Sequence, residues 1–147
     1  MFLNWKLVAK KLWERSRQLE KTVSDLKKTI DNPRRLDLPP ERIGVTKSTQ
    51  IGEKKIYLTE NLDEHGHLRE ILVRVGKYGG EDVMWGLVSR CISLGLQYRV
   101  PLSEFTDMLK FQIHHLPKDT SDPDIEVTKS IADYLGKRIE MDFIQED

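Results

Sequence analysis

Residues 70–98 read EILVRVGKYGGEDVMWGLVSRCISLGLQY, and residues 99–105 continue RVPLSEF. This stretch decides the fold. In its opening, Ile71, Val73 and Val75 share one face and Glu70, Leu72 and Arg74 the other. That period of two belongs to a strand covered on one side. Gly76-Lys77-Tyr78-Gly79-Gly80 breaks the period, and a helix is predicted from about Glu81 to Gln97. Met84, Leu87, Val88, Cys91 and Ile92 recur at helical spacing and form its expected buried stripe. Gly86 and Gly95 are poor helix formers that permit close approach of a neighbour. A strand feeding a helix through a glycine-flanked loop gathers backbone N–H groups at a helix N-terminus, a geometry suited to phosphate.

Upstream, Ile43 to Ile51 and Lys55 to Asn61 flank Gly52-Glu53, a two-residue hairpin turn. Asp63-Glu64-His65-Gly66 leads into the strand Leu68 to Val75, completing an antiparallel three-stranded meander. Downstream, Pro101 separates off a short helix with Ser103 as N-cap before Phe105, Met108 and Leu109. A polar loop, His114 to Asp122, precedes a last helix expected from about Asp124 to Lys137. Val127, Ile131, Tyr134 and Leu135 lie on its apolar face.

The N-terminal part has a different period. Met1 to Asp31 reads as one amphipathic helix with Phe2, Ala9, Ser16, Val23 and Ile30 at heptad position a, and Trp5, Leu12, Leu19 and Leu26 at d. Such a seam must be covered, which makes Trp5, Leu12, Leu19, Val23, Leu26 and Ile30 candidate oligomerisation residues. Trp13 lies beside it. Asn32-Pro33 stops the helix. The fold class is α+β: a long N-terminal helix, a meander, then three helices packed on the sheet. Residues 1–32 form a coiled-coil oligomerisation helix, 33–42 a linker, 43–140 the α+β domain and 141–147 a tail.

Composition narrows the function classes. At 147 residues, 38% hydrophobic and 33% charged, the chain fits one modest core plus an appendage. Its single cysteine, Cys91, excludes an intramolecular disulfide or a multi-cysteine zinc site and reads as a small buried hydrophobe. Formal net charge is zero, yet residues 1–35 hold ten Lys or Arg against four Asp or Glu, and so carry +6 against −6 elsewhere. A basic helix of this kind serves a nucleic acid or membrane surface, or docks on an acidic protein body. There is no signal-peptide pattern and no run near the roughly 20 apolar residues of a membrane span. The expected location is the cytoplasm, that of the host cell if the chain is viral.

Three places are candidate sites. In the loop, Gly79 and Gly80 allow close backbone approach, Lys77 supplies charge, Tyr78 a stacking ring, and Arg74 flanks them. It lacks the GxxxxGK[ST] spacing of a phosphate loop, and a plain strand-to-helix connection is the alternative. At the far end of the helix, Arg99 offers a bidentate guanidinium beside Tyr98, or else serves the helix C-terminus. His114 and His115 are neighbours whose side chains diverge, so they suit acid–base work beside Asp119, Asp122 and Asp124, or solvation, rather than chelation. No metal, cofactor or catalytic triad is expected. The helix places Arg99 roughly 25 Å from Lys77, so one ligand touching both requires a pocket shared between subunits.

Residues 70–105, with EILVRVGKYGG, ISLGLQY and VPLSEF, are similar to the small C-terminal module of cobalamin-dependent ribonucleotide reductases, the TSCPD domain. SIADYLGKRI at 130–139 resembles that module's final helix, and the likeness spans roughly Ile43 to Ile139. Thr120-Ser121-Asp122-Pro123-Asp124 stands in place of the name-giving motif, with Asp122 where the motif has cysteine. Arg99 stands where the module has glycine, and the N-terminal helix is expected to have no counterpart. The reductase's catalytic barrel and radical cysteines are missing from this sequence.

The resemblance implies a binding or regulatory module of nucleotide metabolism rather than a catalyst. The first expectation is a non-catalytic, homo-oligomeric protein that binds a nucleotide or nucleotide-derived small molecule, acting as a sponge for nucleotide signals. Alternatives are an accessory protein docking on a reductase or other enzyme, and nucleic-acid binding through the basic helix. Hydrolysis of a phosphodiester or nucleoside bond is the enzyme alternative.

Overall fold

The computed structural model describes residues 5–31, 34–76, 79–114 and 117–144, in two units, Met1–Arg35 and Leu36–Asp147. The first unit is helix α1 (Trp5–Asp31). Taken by itself it is an amphipathic rod whose Trp5, Leu12, Leu19, Val23, Leu26 and Ile30 are all exposed. Trp13 carries the Arg17 guanidinium 4.8 Å from its ring centroid. Phe2, the first residue of the heptad seam, lies outside the described residues.

The second unit is α+β. Strands β1 (Ile43–Ile51), β2 (Lys54–Leu62) and β3 (Leu68–Val75) form an antiparallel meander in the order β1-β2-β3. The hairpin register runs from Ile51↔Lys54 to Ile43↔Leu62, and Gly52 at φ 57 supplies the positive φ of its two-residue turn. Ile71, Val73 and Val75 are buried on one face of β3 as their alternation requires, together with Ile56 and Leu58 of β2. A bulge at Asn61/Leu62 shifts the register, and Leu68 is buried as well although its parity differs from that of Ile71.

Helix α2 (Gly80–Gln97) runs along β3, but turned so that only part of the expected apolar stripe faces inward. Val88 is half-buried and Ile92 buried, whereas Met84 and Leu87 are 58% and 56% exposed and Cys91 is exposed. The buried stripe is Asp82, Ser89, Ile92, Ser93, Leu96 and Gln97. The cause is the sheet edge. β3 is an outer strand, and its free backbone groups need polar partners once a helix covers them. Ser93 Oγ accepts from Ile71 N at 2.9 Å and lies 3.0 Å from Ile71 O, Asp82 accepts from Val75 N at 2.9 Å, and Gln97 donates to Arg69 O at 3.4 Å. The helix therefore acts as a surrogate strand.

Helix α3 (Leu102–Leu109) starts behind Pro101 rather than Ser103. Its Phe105 ring lies 2.4 Å from where a Cβ on Gly95 would stand, so α2 and α3 meet at that glycine. A ribbon of β4 (Lys118–Asp119) and β5 (Val127–Thr128) follows. It is tied to β1 by Gly52 N to Asp119 O and Ser121 N to Gln50 O. Helix α4 spans Ile131–Phe143, later than expected at both ends. Val127, assigned by periodicity to this helix, lies in β5. The start is set by Ser130, whose Oγ accepts from Asp133 N at 3.0 Å as N-cap. Tyr134, Leu135 and Ile139 of α4 join the sheet and α2 in one core.

Candidate functional site

The sequence-derived site residues fall into two places at opposite ends of α2. An 18-residue helix spans about 27 Å at 1.5 Å per residue, so within one chain no small ligand reaches both. Lys77, Tyr78 and His115 lie outside the described residues. Gly79 is the N-cap of α2 and adds no side-chain cap. Arg74 is clasped by Asp82, with Nε 2.9 Å from Oδ1 and Nη2 2.8 Å from Oδ2. These bonds from Arg74, with Val75 N, hold the Asp82 carboxyl below its ordinary range.

Beside this end of α2 is a cleft of about 390 Å³. Ile51 and Ile131 belong to its apolar lining, while Trp85, Lys54, His114 and Lys118 supply a ring and basic groups. Lys54 is ion-paired with Glu81, which also lines the cleft. Ser130, buried at the start of α4, donates through Oγ to Gln112 O at 2.5 Å and fixes the α3–β4 connection against α4. The arrangement offers a half-buried aromatic wall beside Lys118 and the Lys54–Glu81 pair, a combination that accepts a ring carrying an anionic group. Among the described residues, His114 is the one sequence-derived candidate lining this cleft. Trp85, Lys54 and Lys118 were missed, since they come from three separated segments. The only available signal was a Trp one turn beyond the Gly79-Gly80 pair.

At the other end of α2, Tyr98 is its C-cap and Arg99 follows with φ 64. Val100 N donates to Gly95 O and Arg99 N to Leu96 O, both at 3.0 Å. These are the paired bonds of a Schellman motif, whose left-handed position favours glycine. Placing a side-chain-bearing residue there costs about 1–2 kcal/mol. Arg99 lines a second cleft, of about 350 Å³, together with His67 and Arg69.

The Thr120–Asp124 segment is a structural knot. Asp122 accepts from Tyr134 OH at 2.7 Å and from Asp124 N at 3.0 Å. It also lies 3.5 Å from Arg138 Nη1. Burial opposes its ionisation, but these donors outweigh it and hold the carboxyl low. Arg138 goes on to Asp124 at 2.9 Å and Asp142 at 2.7 Å. Asp142 in turn pairs with Lys47, whose Nζ donates to Glu60 at 3.0 Å. Glu60 is buried on β2, and among the described residues its Oε1 has no hydrogen-bond partner. Burial pushes its carboxyl up to about 7, against the opposing pull of Lys47. Among the described residues, no three His, Cys, Asp or Glu side chains are grouped to hold a metal.

The TSCPD domain family model matches residues 25–143. The chain belongs to the TSCPD-domain family. It is 33% identical to a vitamin B12-dependent ribonucleotide reductase of Streptomyces coelicolor over 141 residues, covering 89% of this chain and 14% of that protein. A Streptantibioticus cattleyicolor protein of the same name is 35% identical over 127 residues, 82% of this chain and 20% of that one. The TSCPD chain thus spans a small fraction of the length of these relatives. No solved structure matches it. The match to a third such reductase, from Streptomyces avermitilis, covers 92% of this chain. So extensive a match cannot begin at Ile43, and the family model itself begins inside α1. Part of α1 therefore does have a counterpart in the relatives, contrary to the expectation from the resemblance.

Proposed function

We propose that this TSCPD chain is a non-catalytic binding module for a phosphorylated nucleoside, seated in the cleft at the N-terminal end of α2. The observation that supports this reading is the meeting of Trp85 with Lys54, His114 and Lys118 around one cleft of about 390 Å³. The ring stacks a base, and Lys118 neutralises phosphate, with Lys54 recruited from Glu81. The 147 residues hold one cysteine, too few for the dithiol chemistry of ribose reduction. Self-association through the α1 seam belongs to the same proposal, because an apolar stripe at heptad spacing is stable only when covered.

The test is retention and release. The purified chain is dialysed against a panel of nucleoside phosphates, then heat-denatured, and the released molecule is weighed by mass spectrometry. A ligand of unchanged mass, lost at least tenfold in affinity with Lys118→Ala and Trp85→Ala, supports the proposal. Retention of no panel member, or release of a cleaved product, defeats it. Leu12→Asp with Leu19→Asp should lower the sedimentation mass; an unchanged mass removes α1 from the assembly.

A second reading rests on the relatives. All of those named above are vitamin B12-dependent ribonucleotide reductases, so a chain of this family could act as an accessory segment to such an enzyme. A nucleotide retained by this chain alone, without any reductase, favours the first reading.

A further inference from the structure

We propose that the cleft at the C-terminal end of α2 is a second, separate binding site, anchored by Arg99. Its ligand is a small molecule with a phosphate or carboxylate head and an apolar body. This inference does not rest on the nucleotide reading of the first cleft, which lies at the far end of the helix.

Three observations carry it. The first is local strain. Arg99 takes φ 64 at the position of a helix-ending motif that glycine fills without steric conflict. An unfavourable backbone conformation held by a long cationic side chain points to use of that side chain.

The second is charge. Among the described residues no acceptor engages the Arg99 guanidinium, while the neighbouring cation Arg69 is already neutralised. Arg69 Nε donates to Asp63 Oδ2 at 2.9 Å and its Nη1 to Leu96 O at 3.3 Å. Asp63 is engaged by other donors. Its Oδ1 accepts the backbone N–H groups of His65 and His67, both at 2.9 Å, and His67 Nδ1 stands 3.4 Å from Oδ2. The cleft therefore carries the guanidinium of Arg99 with no acceptor on it among the described residues, and His67 beside it. A guanidinium so placed pairs with a carboxylate or phosphate through two parallel bonds.

The third is shape. The remaining lining includes Leu96, Val100, Pro101, Leu102 and Phe143, in a volume of about 350 Å³. Bare inorganic anions make no use of such walls, whereas an aromatic or short aliphatic body does.

The test is a nuclear magnetic resonance titration of the full chain, with amide signals followed as phenyl phosphate, benzoate and inorganic phosphate are added separately. Saturable shifts at His67, Arg69, Arg99, Val100 and Leu102 with phenyl phosphate or benzoate support the site, and the better of the two names the head group. Arg99→Gly should fold at least as well as the parent, because it relieves the backbone, and should weaken that binding at least tenfold. Arg99→Lys should recover part of the affinity, and Trp85→Ala should leave it unchanged. Equal binding by Arg99→Gly, shifts confined to the first cleft, absence of saturation, or inorganic phosphate binding as tightly as phenyl phosphate would overturn the proposal.

Discussion

Glu60→Gln is the most informative single substitution. Glu60 is 2% exposed, and its carboxyl is pushed from 4.5 up to about 7, by burial first and by Asp142 among the lesser causes, with Lys47 pulling the other way. The sign follows from proton linkage. Between about pH 4.5 and 7 the folded chain holds a proton at this site that the unfolded chain has lost. The stabilisation is complete below the unfolded value and is lost as pH rises through the folded one. At 1.36 kcal/mol per unit the shift amounts to about 3 kcal/mol. Because Glu60 and Asp142 share Lys47, the change belongs to the pair rather than to one carboxyl.

Urea unfolding of parent and variant at pH 5, 6, 7 and 8 reads this contribution as that of the coupled pair, since the groups outside it are common to both. Asp63, Asp82, Asp122, Asp133 and Asp142 are depressed in the folded state, so their stabilisation is lost on the acid side instead. The expected result is a difference that grows with pH in favour of Glu60→Gln, approaching about 3 kcal/mol at pH 8. Parallel pH profiles, or a variant that becomes relatively less stable as pH rises, would refute the reasoning.

Ser93→Ala should cost about 1–3 kcal/mol in urea unfolding, because it strips the buried Ile71 backbone of its partner. Leu87→Ser on the exposed face should stay within about 0.5 kcal/mol, and a reversed order would mean that α2 is turned the other way. Cys91, exposed on that same face, should react with an aromatic disulfide in the native chain within tenfold of its rate in urea; hundredfold protection would contradict its placement. Asp122→Ala should lower stability by about 1–3 kcal/mol, since it leaves the Tyr134 hydroxyl without its acceptor and removes a charge from Arg138; a loss under about 0.5 kcal/mol would mean the knot is not structural.

The meander was legible because its information is local. Alternation fixes the faces of β3, and Gly52-Glu53 fixes the turn. The late start of α4 was legible too, in Ser130 followed three residues on by Asp133, but helical spacing at Val127 masked it. The first cleft was not legible. Lys54, Trp85, His114 and Lys118 meet only through the hairpin, α2 and the approach to the β4–β5 ribbon, and no spacing within one segment announces that meeting. Arg99 lies between these cases. Its replacement of a glycine could be read from the sequence, whereas the reason glycine belongs there is the left-handed turn after α2.

The turned face of α2 has a physical source that extends beyond this helix. Hydrophobic periodicity finds the axis along which a helix is asymmetric, but the inward side follows from what the neighbour lacks. Against a sheet face the neighbour lacks apolar contact, and the apolar stripe goes in. Against the edge of β3 it lacks hydrogen-bond partners, so Asp82, Ser93 and Gln97 go in and Met84 and Leu87 come out. The same need recurs at Asp122, a carboxylate held between Tyr134 and Arg138 where the family motif has a thiol. Both sets of polar groups look like defects in the sequence, and both fill backbone or side-chain demands in the fold. Because those demands fix α2 in register along β3, the positions of the two clefts at its ends are fixed with it.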